Sequence, residues 1–252
     1  SFGTLAFEAR DTRQSGERLA LICGRGLGPR MTAINSYKNL KSGQILKMVD
    51  SGIVDWTPEN RQRLALIFEA IPKRKLLPQP DGQPFRISED KIIPLLIHPV
   101  LQALSELRNV DIVHGAINPE NIFLGNSEGT EPVVLGECIS SAPSFRQHPL
   151  FETVERAMAQ ASGRGIGNFK EDLYAFGICV AMAAHGRNLM TGKTSEQIIQ
   201  EKMKDGTYAV VAGHDRLPAG ISEFLRGVLS DDDHQRWDIS DALSWLEGRR
   251  IN

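Results

Sequence analysis

The sequence predicts an α+β chain of two lobes, strand-rich over residues 1–71 and mainly helical over residues 72–252. Three observations predict it. Before Ala70 the apolar residues come in short runs separated by turn residues, the pattern of strands. From Pro72 to Pro84 four prolines and a glycine make a natural boundary. Beyond it apolar residues recur at helical spacing, and Leu173 to Ala184 has no polar face, which marks a buried helix.

Leu5 to Arg10 and Leu19 to Cys23 read as strands joined by a polar turn holding Ser15-Gly16-Glu17. The glycine run Gly24-Arg25-Gly26-Leu27-Gly28-Pro29 invites a dinucleotide-binding reading. Pro29 stands where the third glycine belongs, and no acidic residue closes a second strand about 20 residues on, so a plain loop is expected. Thr32 to Leu40 reads as a short helix. Ile45 to Val49, Ile53 to Trp56 and Arg63 to Ala70 read as strands around two turns. Ser88 opens a helical region in which Pro94 and Pro99 forbid one straight helix, so a short helix, a break and a longer helix from about His98 are expected. Thr194 with Gln197 makes a capping box, and Gly206 can end that helix. Pro218 leads into Ile221 to Leu229, and Asp238 or Ser240 caps a last helix that Gly248 stops.

Composition bounds the function. A net charge of −2 over 252 residues argues against nucleic acid or an anionic membrane as the main partner. The longest apolar run is too short to span a bilayer, so no membrane insertion is expected. Cys23, Cys138 and Cys179 lie far apart with no metal-ligand spacing, which points to a reducing, cytoplasmic compartment. The chain opens on Ser1 rather than Met, and a piece of a longer protein is expected.

The stretch Val113-His114-Gly115-Ala116-Ile117-Asn118-Pro119-Glu120-Asn121, followed by the apolar Ile122-Phe123-Leu124, resembles the catalytic loop of the protein kinases, H-R-D-L-K-P-E-N and a strand. His114, Pro119, Glu120 and Asn121 keep the family spacing. Gly115 stands for the Arg, Ala116 for the catalytic Asp and Asn118 for the Lys. The resemblance extends in order along the chain. Gly136-Glu137-Cys138-Ile139 aligns with D-F-G as Glu-Cys-Ile, Glu155 takes the place of the Glu in A-P-E, and Asp172 to Gly177 matches D-x-x-x-x-G. Leu229 to Trp237 resembles the segment carrying the Arg that pairs with the A-P-E Glu. It covers about Ser1 to Gly248, most specifically from Leu64 onward.

The resemblance implies a protein kinase-like bilobal fold, with a small N-lobe whose first strand lies upstream and Ser1-Phe2-Gly3-Thr4 as the tail of a glycine-rich loop. It puts Phe68 at the gatekeeper and Glu69 at the hinge. Leu19-Ala20-Leu21-Ile22 resembles V-A-I-K, with Ile22 for the phosphate-gripping Lys. A register slip of one changes nothing, because no Lys precedes Lys38 and no Glu lies between Glu17 and Glu59. Structural roles are implied for His114 as a packed core residue, for Asp172 as the holder of the loop backbone, and for an Arg236–Glu155 pair.

Phosphoryl transfer by this family is positioning plus charge neutralisation. Loss of a positioned base costs on the order of 10² to 10⁴ in rate, and loss of the phosphate-gripping cation adds to it. Ile22, Gly115, Ala116, Asn118, Glu137 and Cys138 are therefore read as degenerate positions of a pseudokinase, a regulatory scaffold that binds protein partners. No cofactor is expected. The alternative is an atypical ATP-using transferase, a weak kinase or a nucleotidyl transferase, with Asn121 and Glu137 on Mg²⁺. A third reading is a domain that binds ATP only to stiffen itself. Glu120 is expected at the surface. Arg25, Arg30, Lys38 and Lys41 are expected to form a solvated basic face, and Asp231-Asp232-Asp233 a turn.

Overall fold

The computed structural model describes residues 4–12, 16–24, 28–69, 74–79, 82–145, 147–213 and 217–249. The expected glycine-rich tail at residues 1–3, the serine of the first turn at 15, the centre of the glycine run at 25–27 and the lobe boundary at 70–73 lie outside them.

Four strands form one antiparallel sheet: β1 (Leu5–Arg10), β2 (Glu17–Ile22), β3 (Met48–Trp56) and β4 (Arg61–Glu69), in the order β1-β2-β4-β3. Strand alternation divides their residues between two faces. Leu19 pairs with Phe68 and Leu21 with Leu66, all four buried. That face meets the short helix α1 (Ile34–Lys38), where the Tyr37 ring packs edge-on to Phe68 at 6.2 Å. Ala20 and Ile22 pair with Ile67 and Ala65 on the opposite face, where Phe7 and Trp56 meet at 5.4 Å.

β3 differs from expectation. Ser51-Gly52, read as a turn, lies in the ladder opposite Leu66 and Ala65, so one nine-residue strand replaces two. The register steps from Met48 to Asp50, a bulge that absorbs Val49. Ile45 instead bridges to Leu135 in the other lobe.

The helical lobe starts with α2 (Glu89–Ile92), a widened π turn over Ile93–Ile97, and α3 (His98–Asn109). The expected break is thus a bulge within a continuous run. Pro94 has no N–H for the ladder, and a π turn relieves the ring's clash with the preceding turn. β5 (Ile122–Phe123) and β6 (Val134–Leu135) form a small ladder flanking the loop of interest. Then come α4 (Val154–Met158) and α5 (Phe169–His185), with every residue from Asp172 to Ala183 buried. A capping box of Asn168 and Glu171 starts α5, and Gly186 at φ 63° ends it. Around it lie α6 (Ser195–Asp205), α7 (Thr207–Ala212), α8 (Ala219–Val228) and α9 (Ile239–Leu246). Thr194 and Asp238 cap α6 and α9 through their side chains. α7 has no periodic signal long enough to read from sequence, and it begins where Gly206 ends α6. Among the described residues no helix is long and apolar enough to cross a membrane.

The lobes are joined by hydrogen bonds as well as by packing. Glu106 of α3 accepts from the backbone N–H of Lys41 and Ser42 at 2.6 and 2.7 Å. Leu46 donates to Leu135 and Leu135 to Gln44, extending the β6 edge into the N-terminal lobe.

Candidate functional site

The loop from Val113 to Asn121 runs between α3 and β5, and the head of α5 holds it. Both Asp172 oxygens accept backbone N–H bonds, from His114 at 2.6 Å and Gly115 at 2.7 Å. Burial raises the Asp172 carboxyl to about 7, against the pull of those two donors and of Arg30. The His114 ring is fully buried. Its Nδ1 accepts from Ala116 N–H, which places the proton on Nε2, facing the Gly136 carbonyl at 3.2 Å. Burial lowers its pKa to about 3, with Arg30 adding to that and the Gly136 carbonyl opposing it. The ring is a neutral packing element.

Gly115 has φ +60°, and a Cβ there would lie 2.6 Å from the Pro143 Cβ. The arginine of the family pattern does not fit this position. The Gly115 carbonyl accepts from Ser144 N–H, which lays the chain around Ser144 against the loop. Gln147 adds a bond to the Ile117 carbonyl at 3.0 Å.

No proton acceptor stands at Ala116. Its carbonyl accepts from the side-chain amides of Asn118 and Asn121 at 3.3 and 3.0 Å. Asn118 turns its oxygen to the N–H groups of Glu120 and Asn121, so it shapes the loop. Asn121 donates its second amide hydrogen to the Glu137 carbonyl at 3.0 Å. Its oxygen lies against Gly136, where an added Cβ would come within 1.8 Å. The Glu137 carboxylate is turned back on its own chain. One oxygen accepts from Ile139 and Ser140 N–H at 2.6 and 2.8 Å, the other from the Ser140 hydroxyl at 2.5 Å. Cys138 is buried, and burial pushes its thiol up.

A hydrated Mg²⁺ on a nucleotide requires carboxylate or amide oxygens directed at the metal. Of the two residues assigned to it from sequence, Glu137 directs its carboxylate into the loop it stabilises, while Asn121 bonds that loop through its amide nitrogen. Among the described residues no group of three or more His, Cys, Asp or Glu is placed to hold a metal.

On the sheet, the register corrects one sequence assignment. Ile22 lies on the face of Ala20 and Phe7, away from α1, while Leu21 shares the inner face with Phe68. The position facing the cleft is therefore Leu21, a buried aliphatic with no charge. Phe68 is fully buried, and Glu69 is exposed beside Lys47 at 3.4 Å.

Arg30 is the residue that sequence reasoning misplaced. Instead of a solvated face, its guanidinium reaches across to the helical lobe and donates to the carbonyls of Val113 at 2.5 Å, His114 at 2.6 Å and Ser141 at 3.0 Å. Its backbone N–H donates to Ile139 at 2.9 Å. No motif marks it. The only signal was a cation just ahead of the short helix α1. Lys38 does face solvent, paired with Asp50 at 3.0 Å.

The expected Arg236–Glu155 pair is absent from the described structure. Glu155 is exposed, and Arg236 donates to the carbonyls of Ser230 and Asp231 and pairs with Asp233 at 3.3 Å. The buried acid of this segment is Glu152, three residues earlier, paired with Arg156 at 2.8 Å and Arg164 at 3.6 Å. The Tyr174 ring lies between Lys202 at 4.9 Å and Arg236 at 5.3 Å. Its hydroxyl bonds Thr207, which donates in turn to Asp231. Sequence alone could not separate Glu152 from Glu155, because both acids lie in the same short stretch and only the fold shows which one is buried.

No family model matches the chain. It is 24% identical over 221 residues to the striated muscle preferentially expressed protein kinase of Danio rerio, covering 86% of this chain and 7% of that protein. The chain thus spans a small fraction of this curated relative. In structure it is similar to the crystal structure of Rad53 1-466 in complex with AMP-PNP, with a TM-score of 0.73 and 14% identity, over 98% of this chain and 62% of that one. That likeness shows the fold: the α+β, bilobal architecture of the protein kinases.

Proposed function

We propose that this protein is a pseudokinase domain, catalytically impaired, which acts by presenting a kinase-shaped surface to protein partners. The observation that carries the reading is the use of Asn121 and Glu137. The two side chains best suited to a metal are bonded to their own loop, beside an alanine at the base position and a leucine at the cation position. The scaffold groups, by contrast, are engaged. Asp172 grips the loop backbone, His114 is locked in place and α5 is buried along its length. We place the lobe boundary between residues 71 and 72. We assign the protein to the cytoplasm on its three buried free cysteines. The modest negative charge favours protein over nucleic acid as partner.

A thermal-denaturation titration with ATP and Mg²⁺ or Mn²⁺ tests this, since a ligand held by the folded state alone raises the midpoint. The expected outcome is no shift at millimolar nucleotide and no radiolabel transfer to general protein substrates. Ala116→Asp is expected to leave transfer absent, because one restored base does not supply the missing cation. A midpoint shift abolished by Asn121→Ala and Glu137→Ala would replace this reading with that of an ATP-using transferase. The AMP-PNP held by the Rad53 structure is what keeps that second reading in view.

A further inference from the structure

We infer that Arg30 is a built-in latch between the lobes. It is a tethered cation seated in a cradle of backbone oxygens, fastening the N-terminal lobe to the loop that in the kinases does chemistry. The cradle consists of the carbonyls of Val113, His114 and Ser141, which converge on one guanidinium at 2.5 to 3.0 Å. Three oxygens around a planar fork use what distinguishes arginine from lysine, several N–H donors in fixed directions. The contact spans 83 to 111 residues of sequence, so it closes the molecule across its cleft and is not local turn chemistry. A second hook falls on the same stretch: Arg30 N–H donates to Ile139, and the Thr4 hydroxyl, from the lead into β1, donates to Ser140 at 3.2 Å. The positive field of Arg30 reaches His114, Cys138 and Asp172.

Such a cradle makes a chemical prediction. Deleting the side chain leaves the buried His114 carbonyl and the half-buried carbonyls of Val113 and Ser141 without these donors, a costly state. A small free cation of the same shape should then refill the site. The experiment follows thermal midpoints of the wild type, Arg30→Ala and the remote core variant Ile198→Ala in nucleotide-free buffer, so its outcome does not depend on whether the cleft takes ATP. Arg30→Ala is expected to melt roughly 5–10 °C below wild type, as loss of two or three charge-assisted bonds implies for a chain of this size. Methylguanidinium at about 10 mM should raise the Arg30→Ala midpoint by 2 °C or more, as binding to the folded state requires. It should leave wild type and Ile198→Ala unchanged, and tetramethylammonium at the same concentration should do nothing.

An Arg30→Ala midpoint unmoved by methylguanidinium, or an equal rise in Ile198→Ala, overturns the inference. Should Arg30→Ala not fold, Arg30→Lys decides. Keeping the charge but losing the fork, it should speed hydrogen exchange at the amide of residue 30 itself, which donates to the Ile139 carbonyl, about 10-fold or more relative to the α5 amides. Unchanged exchange there would refute the cradle.

Discussion

His114 illustrates how a side chain known for proton chemistry becomes inert. Both ring nitrogens are engaged and burial holds the imidazole neutral down to about pH 3, whereas an unfolded chain protonates it near 6.5. Between those values the unfolded state binds more protons, so this residue removes native stability as pH falls. At 1.36 kcal/mol per unit, the loss is on the order of 5 kcal/mol across the window. His114→Gln loses packing at neutral pH, yet the stability gap between wild type and variant should narrow from pH 6.5 toward 3. Urea titrations across that range measure it, and a constant gap would contradict the assignment. Asp172 works in the opposite direction, since its raised folded pKa adds stability as pH falls below about 7. Because it is present in both proteins, that contribution cancels to first order in the difference. At this scale the sequence told which groups were missing, but not where the remaining ones pointed. The inward turn of Glu137 and Asn121 depends on Ser140 and Gly136, neighbours whose role no spacing rule encodes.

At the scale of elements, α5 and its crossing with α8 show what a motif glycine does. Gly177 lies where α8 ends, and a Cβ there would stand 2.5 Å from Val228 Cγ2 and 3.0 Å from Leu229 Cδ2. Alanine gains up to about 1 kcal/mol in helix propensity, but overpacking a tight core costs typically 1–3 kcal/mol. The crossing should win, so Gly177→Ala is expected to lower unfolding free energy by about 1–2 kcal/mol. Adding Val228→Ala should recover part of that loss, where independent sites would add their costs. Helices were the most legible elements, because Thr194, Gly206, Pro218 and Asp238 state their ends chemically. β3 was misread because Ser51-Gly52 looks like a turn and the ladder with β4 overrides that local preference. The Leu21 assignment needed the pairing register, since a step of one residue moves a side chain to the other face.

Across the whole molecule, the N-terminal lobe depends on the helical one. Its sheet has four strands and one short helix. Glu106 fixes the 41–42 turn, β6 extends into residues 44–46, and Arg30 fastens the other side. Glu106→Ala leaves the exposed Lys41 N–H to water and the half-buried Ser42 N–H without its anionic acceptor, a loss of about 1.5–3 kcal/mol in all. Amide exchange in β2 and β4 should then quicken by roughly 100-fold while α5 amides keep their protection, as expected when one cooperative unit opens alone. Equal loss in both lobes would instead indicate a single unit. The two-lobed architecture itself was legible, because the proline-rich stretch separates two kinds of apolar periodicity. The contacts across the cleft were not, since Arg30 and Glu106 are ordinary surface residue types in sequence.

The backbone at Gly115 also bears on what this position can accept. A side chain there would take up left-handed φ and press on Pro143, so the arginine of the kinase pattern cannot enter unless the proline shifts. Placing an arginine at 115 therefore calls for a second change at Pro143, and the effects of the two substitutions should be coupled.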